Sequence, residues 1–103
     1  MTMAYTADDN LPPVHPGEIL ADELEALELS ARKFAAHIGV PPNAITEILN
    51  SDRRVTAEMA ILLGAAFRTS ERYWMNLQSY YDAKLARAKM KDRVSNITPL
   101  VAA

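Results

Sequence analysis

The adjacent prolines Pro41 and Pro42 constrain this chain more than any other pair of residues. They stand in "GVPPNAITEILNSDRR", residues 39–54, between two apolar stripes of helical spacing. A residue that precedes proline is pushed out of the helical region, so Val40 and Pro41 must be extended. Proline itself suits the first position of a helix, where its missing N–H would have found no partner. One helix must therefore stop by Gly39, and another must start at Pro42 after a sharp connection. The prolines also narrow the unfolded ensemble, which contributes up to ~1 kcal/mol where the folded geometry suits them.

Helical spacing recurs on both sides of that break. In "HPGEILADELEAL" a first helix opens at Pro16, with Ile19, Leu20, Leu24 and Leu27 on one face and acids between them. Ser30 is placed to cap "ARKFAAHI", whose Phe34, Ala35 and Ile38 face inward, and Gly39 ends it. Ile45, Ile48 and Leu49 form the buried stripe of the third helix. Thr56 caps "AEMAILLGAAF", apolar enough to be the centre of the core, and Ser70 with Glu71 opens a long helix through "ERYWMNLQSYYDAKLARAKMKD". In that last helix Trp74, Leu77, Tyr81 and Leu85 recur at steps of three or four. No strand alternation and no internal repeat appears, so the expected fold is all-α with five helices. Residues 1–14 are expected to form a flexible leader, 15–89 the domain, and 90–103 a tail.

At 103 residues the chain has room for one domain with one modest core, and none for a separate catalytic domain. It contains no cysteine, which removes disulfides, thiolate metal sites and thiol nucleophiles. His15 and His37 lack the spaced partners of a metal site, while Ser30, Ser51 and Ser70 are accounted for by caps and turns. No catalytic residue, metal or other cofactor is expected. No signal peptide and no run of about 20 apolar residues is present, so a cytoplasmic protein without membrane contact is expected. The net charge of -2 hides an asymmetry: residues 1–31 hold seven acids and no Lys or Arg, whereas the remaining 72 residues hold six acids and all eleven basic residues. Such a division points to two surfaces of opposite sign, one suited to phosphates.

The short connection Gly39–Val40–Pro41 between the second and third helices is the pattern of a helix-turn-helix pair, at about residues 30–50, whose second helix lies in the major groove. With Ile45, Ile48 and Leu49 turned inward, the outward residues are Pro42, Asn43, Thr46, Glu47 and Asn50. Asn43 is the best reader of a base edge, because its amide both donates to and accepts from adenine. Pro42 offers apolar contact and Thr46 a hydroxyl or methyl. Glu47 has two open roles, accepting from cytosine or orienting an arginine. Phosphates require cations and hydroxyls, which Ser30, Arg32 and Lys33 supply at the second helix and Arg53 and Arg54 supply after the third.

The segments "HPGEIL", "LSARKFAAHIGVPPNAITEILNSDRRVTAEMAILLGAAF" and "TSERYWMNLQSYYDAKLA" resemble, in order and spacing, the HigA/VapI family of antitoxins. Their helix-turn-helix is of the phage-repressor (XRE) type, and the resemblance spans roughly residues 14–88. It implies a homodimeric antitoxin that neutralises a HigB-like toxin of the RelE superfamily, a ribosome-dependent mRNA interferase. It further implies repression of the antitoxin's own operon through palindromic operator DNA, with the contacts assigned above. The acidic surface of the first helix, including Glu18, Asp22 and Glu25, is then a candidate for holding a basic toxin. In one place the chain departs from the family pattern: Ser51 replaces the glycine that commonly follows the asparagine. Asn50 is therefore expected to take the positive φ at the helix end. Two other readings stay open, an orphan helix-turn-helix regulator without a toxin and a helical interaction module with merely solvated basic residues.

Overall fold

A computed structural model describes residues 11–102 of the chain. The described residues form five helices and no strand: α1 (Pro16–Ala26), α2 (Ala31–Ile38), α3 (Pro42–Leu49), α4 (Ala57–Phe67) and α5 (Glu71–Ser95). The hydroxyls of Ser30, Thr56 and Ser70 accept from the backbone N–H of Lys33, Met59 and Tyr73, so all three expected caps are in place. Pro42 is the first residue of α3, and Pro41 before it is extended at φ -62°, ψ 145°.

The core joins the apolar faces of all five helices. Leu20 and Leu24 come from α1, Phe34 and Ala35 from α2, Ile45 and Ile48 from α3, Leu63 from α4 and Trp74 from α5, all buried. Phe67 stacks on Phe34 at a centroid distance of 5.3 Å and leans on Trp74 at 5.9 Å, which locks α4 between α2 and α5. The indole N–H of Trp74 donates to Thr69 Oγ1 at 3.0 Å, so its burial leaves no polar atom unpaired.

The start of α1 is built for one contact. His15 caps the helix through Nδ1, which accepts from the Gly17 N–H at 2.9 Å, while Glu18 reaches back to the His15 N–H. Pro16 needs no partner there, and Gly17 is buried because the backbone of Ile48, in the last turn of α3, lies directly against it. A Cβ at Gly17 would overlap the Ile48 carbonyl. The positive end of one helix thus meets the negative end of the other. This is the physical content of "HPGE".

At the chain ends one expectation changes. Residues 1–10 of the expected leader lie outside the described residues, but Leu11 to Val14 line a shallow groove on α5 with Leu77 and Tyr81. At the other end α5 continues past residue 89 to Ser95, closed by the Asn96 N–H on the Arg93 and Val94 carbonyls and by Arg93 in the last turn. Its 25 residues span about 37 Å, and the molecule measures 52 Å along its longest axis, so the C-terminal half extends beyond the other helices. Leu85, expected on the buried face, is accordingly 43 % exposed. Gln78 is buried in the stretch where only apolar residues were expected.

The seat of α1 generates two predictions. Gly17→Ala is expected to destabilise the domain by about 2–3 kcal/mol through overpacking against the Ile48 carbonyl, measured by urea unfolding. His15 is 3 % exposed, and burial pushes its imidazole below the ordinary 6.5, against a partial opposing pull from the Glu18 and Asp82 carboxylates. The folded state therefore binds fewer protons than the unfolded state just below that value, and stability falls as the pH drops from above 6.5 through the lowered folded pKa. The melting temperature of the wild type should decline over that interval. His15→Asn, which replaces the capping ring nitrogen by an amide oxygen that does not titrate, should flatten the decline.

Candidate nucleic-acid interface

Helix α3 has eight residues, far fewer than the ~12–15 that make an isolated helix even marginal, so packing must hold it. Ala44, Ile45 and Ile48 are buried against the core, and Gly17 seats its end. Pro42, Asn43, Thr46 and Asn50 are exposed and Glu47 is half-exposed, the outward set expected from the spacing. Ser30 caps α2, and Arg32 and Lys33 are exposed in its first turn. The connection between the two helices is made by Gly39 at φ 76°, ψ 36°, with the Val40 N–H returning to the Ala35 carbonyl. Only glycine adopts that geometry without strain.

The end of α3 overturns one expectation. Asn50 has φ -88° and continues the turn; Ser51 takes the left-handed conformation at φ 65°. The hydrogen bonds explain the difference. The Ser51 N–H donates to the Ile48 carbonyl and the Asp52 N–H to the Glu47 carbonyl, the crossed pair of a Schellman motif, which requires the reversal at the residue after the C-cap. Ser51 therefore occupies the glycine position of the pattern and adopts the glycine conformation. The same pair of bonds ends α1 at Glu28, φ 53°. Arg68, φ 58°, reverses the chain after α4, where the Thr69 N–H returns to the Gly64 carbonyl.

Both arginines after α3 are held by carboxylates. Arg53 Nε donates to Glu47 Oε1 at 2.8 Å, and a terminal nitrogen lies 2.7 Å from the same oxygen. Of the two roles left open for Glu47, the structure thus shows the one that orients an arginine. The Arg53 hydrogen bond and charge, with a smaller contribution from the Asn43 amide, hold the Glu47 carboxyl below the usual carboxylate range. Asn43, Glu47 and Arg53 form one connected polar surface along α3.

Arg54 points elsewhere, to Asp82 Oδ2 on α5 at 3.0 Å. Asp82 Oδ1 accepts from Gln78 Nε2 at 3.0 Å, and Gln78 Oε1 accepts from the Val55 N–H at 2.7 Å. The loop that follows α3 is therefore tied to α5 by a backbone bond and an ion pair that share one linked chain of side chains. Sequence reasoning missed Gln78 and Asp82, because their partners lie 23 and 28 positions away. A polar residue in register with the apolar face of α5 was the available signal.

The acidic residues Glu18, Asp22 and Glu25 are exposed along α1, as is Glu23, and Glu28 is exposed just beyond its end. Glu18 is partly committed to the helix cap. Among the described residues no cluster of His, Cys, Asp or Glu has the arrangement of a metal site, and no helix is long and apolar enough to cross a membrane.

Comparison with known proteins agrees with this geometry. Residues 20–74 match the helix-turn-helix family HTH_3. Virulence-associated protein I of Dichelobacter nodosus is 38% identical over 100 residues, 95% of this chain and 92% of that protein. Among solved structures, an addiction module antidote protein of the HigA family from Coxiella burnetii is 43% identical, with a TM-score of 0.83 over 86% of this chain and 99% of its own. The Pseudomonas aeruginosa antitoxin HigA, solved with the higBA promoter, is 40% identical, with a TM-score of 0.82 over 86% of this chain and 99% of its own.

The left-handed serine supplies a test of the loop geometry. Ser51→Gly removes the steric conflict of a Cβ at positive φ and is expected to raise stability by about 0.5–1 kcal/mol in urea unfolding. The Arg53 and Arg54 pairs should be unchanged.

Proposed function

The chain belongs to the helix-turn-helix family HTH_3 and, within it, to the HigA/VapI antitoxins, and from that membership we propose that it represses its own operon and neutralises a toxin encoded beside it. The observation that carries the reading is the outward face of α3. Pro42, Asn43 and Thr46 are exposed on a helix whose inner face is fixed in the core, with Arg53 and Arg54 immediately beyond its end. That arrangement belongs to a chain closely similar in fold to an antitoxin solved with promoter DNA. The family is one of regulators and antitoxins, not of enzymes.

Asn43 and Thr46 read base edges, and Pro42 packs against them. Ser30, Arg32 and Lys33 at the start of α2 and Arg53 and Arg54 after α3 position the protein on phosphates. The protein works as a homodimer whose reading helices lie about 34 Å apart, one turn of the duplex, so its operator is a palindrome. The exposed C-terminal half of α5 is the first candidate for the dimer contact, since it stands clear of the core with Leu85 and Val94 uncovered. The toxin partner is a basic HigB-like protein of the RelE superfamily, and the row of exposed acids on α1 is the complementary surface. Asp22, Glu23 and Glu25 are its centre.

Gel-shift titration with DNA from upstream of the gene, and co-expression with the adjacent open reading frame, test the two halves of this reading. Asn43→Ala should weaken operator binding by about tenfold, within the ~1–3 kcal/mol of a bidentate base contact, and relax the preference at one base position in each half-site. Rescue of growth in the co-expression assay should persist. Unchanged operator affinity would remove Asn43 from the reading set.

A further inference from the structure

We propose that Glu47 and Asp82 confine the interface to its operator by acting as built-in counter-anions for Arg53 and Arg54. The inference rests on the DNA-binding reading above and adds the residues that limit binding to other DNA. Affinity for arbitrary sequence comes from cations that neutralise phosphates and release condensed counterions. Two adjacent arginines beside a reading helix would supply such affinity on any duplex. In this structure neither is uncommitted: Arg53 lies against Glu47 at 2.7 Å and Arg54 against Asp82 at 3.0 Å.

The two pairs have different origins and the same effect. Glu47 lies on the reading helix one turn from Asn43, so its charge sits where a misplaced backbone would approach. Asp82 lies on α5 and is oriented by Gln78, whose other end holds the Val55 N–H. A phosphate that draws on either arginine must compete with a carboxylate already bonded to it and must approach that carboxylate's charge. On arbitrary DNA nothing offsets this opposition. On the operator the base contacts of Asn43 and Thr46 fix the register, so that each arginine meets a phosphate while keeping its carboxylate; the penalty is smaller there than on arbitrary DNA, and the ratio of the two affinities widens.

The test uses the full chain and the isosteric variants Glu47→Gln and Asp82→Asn, with Glu71→Gln as a control. Glu71 is an exposed acid in the first turn of α5, and its substitution gives the same change in net charge. Affinity for a random-sequence duplex and for the upstream promoter duplex is measured over a range of salt concentrations. Each of the two variants should bind random DNA about threefold to tenfold more tightly, with the slope of log affinity against log salt steeper by about one. The ratio of promoter to random affinity should fall, and Glu71→Gln should change neither quantity comparably. Asp82→Asn retains an acceptor for Gln78; should the melting temperature of that variant drop nonetheless, Glu47→Gln, whose pair is on the surface, decides alone. Random-DNA affinity and slope equal to those of Glu71→Gln would overturn the inference while leaving the repressor reading intact. A wild type that binds neither duplex would overturn both.

Discussion

The approach of α1 to the end of α3, with Gly17 against the Ile48 carbonyl, is the contact on which the rest of the structure depends. An eight-residue helix has no stability of its own, so its direction is set by what touches its ends and its inner face. Gly17 allows the first turn of α1 to close over the last turn of α3, where carbonyl oxygens are available and partial charges are complementary. The cap that makes this possible is His15, whose ring is also edge-on to Tyr81 at 4.8 Å. A single imidazole thereby joins the start of α1 to α5. The other end of the same assembly is the Val55 N–H on Gln78, which fixes where the chain leaves α3. The outward residues of α3 inherit their positions from these two anchors.

Much of this was legible in the chain because it depends on local rules. Ser30, Thr56 and Ser70 are caps by residue type and position, Gly39 and Pro42 mark an end and a start, and the step of Ile45 to Ile48 identifies the inward face. What escaped reading depends on residues far apart in sequence or on how a hydrogen-bond ladder closes. His15 was weighed only as a metal ligand, because imidazole is not among the usual capping side chains, although its bond to the Gly17 N–H is local. Gln78 was not singled out, because its partner is a backbone amide 23 positions earlier. Asn50 was a better left-handed residue than Ser51 by type, yet the crossed bonds from Ser51 and Asp52 fix the reversal one residue later. Leu85 fitted the period of α5, but the body of the protein ends before it.

Charge is the property for which the sequence count and the structure differ most. The basic excess after residue 31 suggested an open cationic face. The fold instead places two of the few acids in that part of the chain, Glu47 and Asp82, directly on the arginines nearest the reading helix. The local field there is weaker than the count implies, whereas the acids of α1 remain exposed and largely unopposed. Arg32 and Lys33 in the first turn of α2 are the exposed cations of the helix pair.

Three helix ends reverse through residues that carry a side chain, Glu28, Ser51 and Arg68, where a glycine would adopt the same angles with less strain. Glu28 and Arg68 are exposed and lie outside α3, at the ends of α1 and α4. The domain therefore keeps a reserve of stability at turns outside the reading helix, in places that no base-reading residue occupies. Robustness and recognition are encoded at separate positions, so selection or a designer can raise one without disturbing the other. A lineage that moves to a hotter environment can strengthen this scaffold at its turns while the words it reads on DNA remain the same.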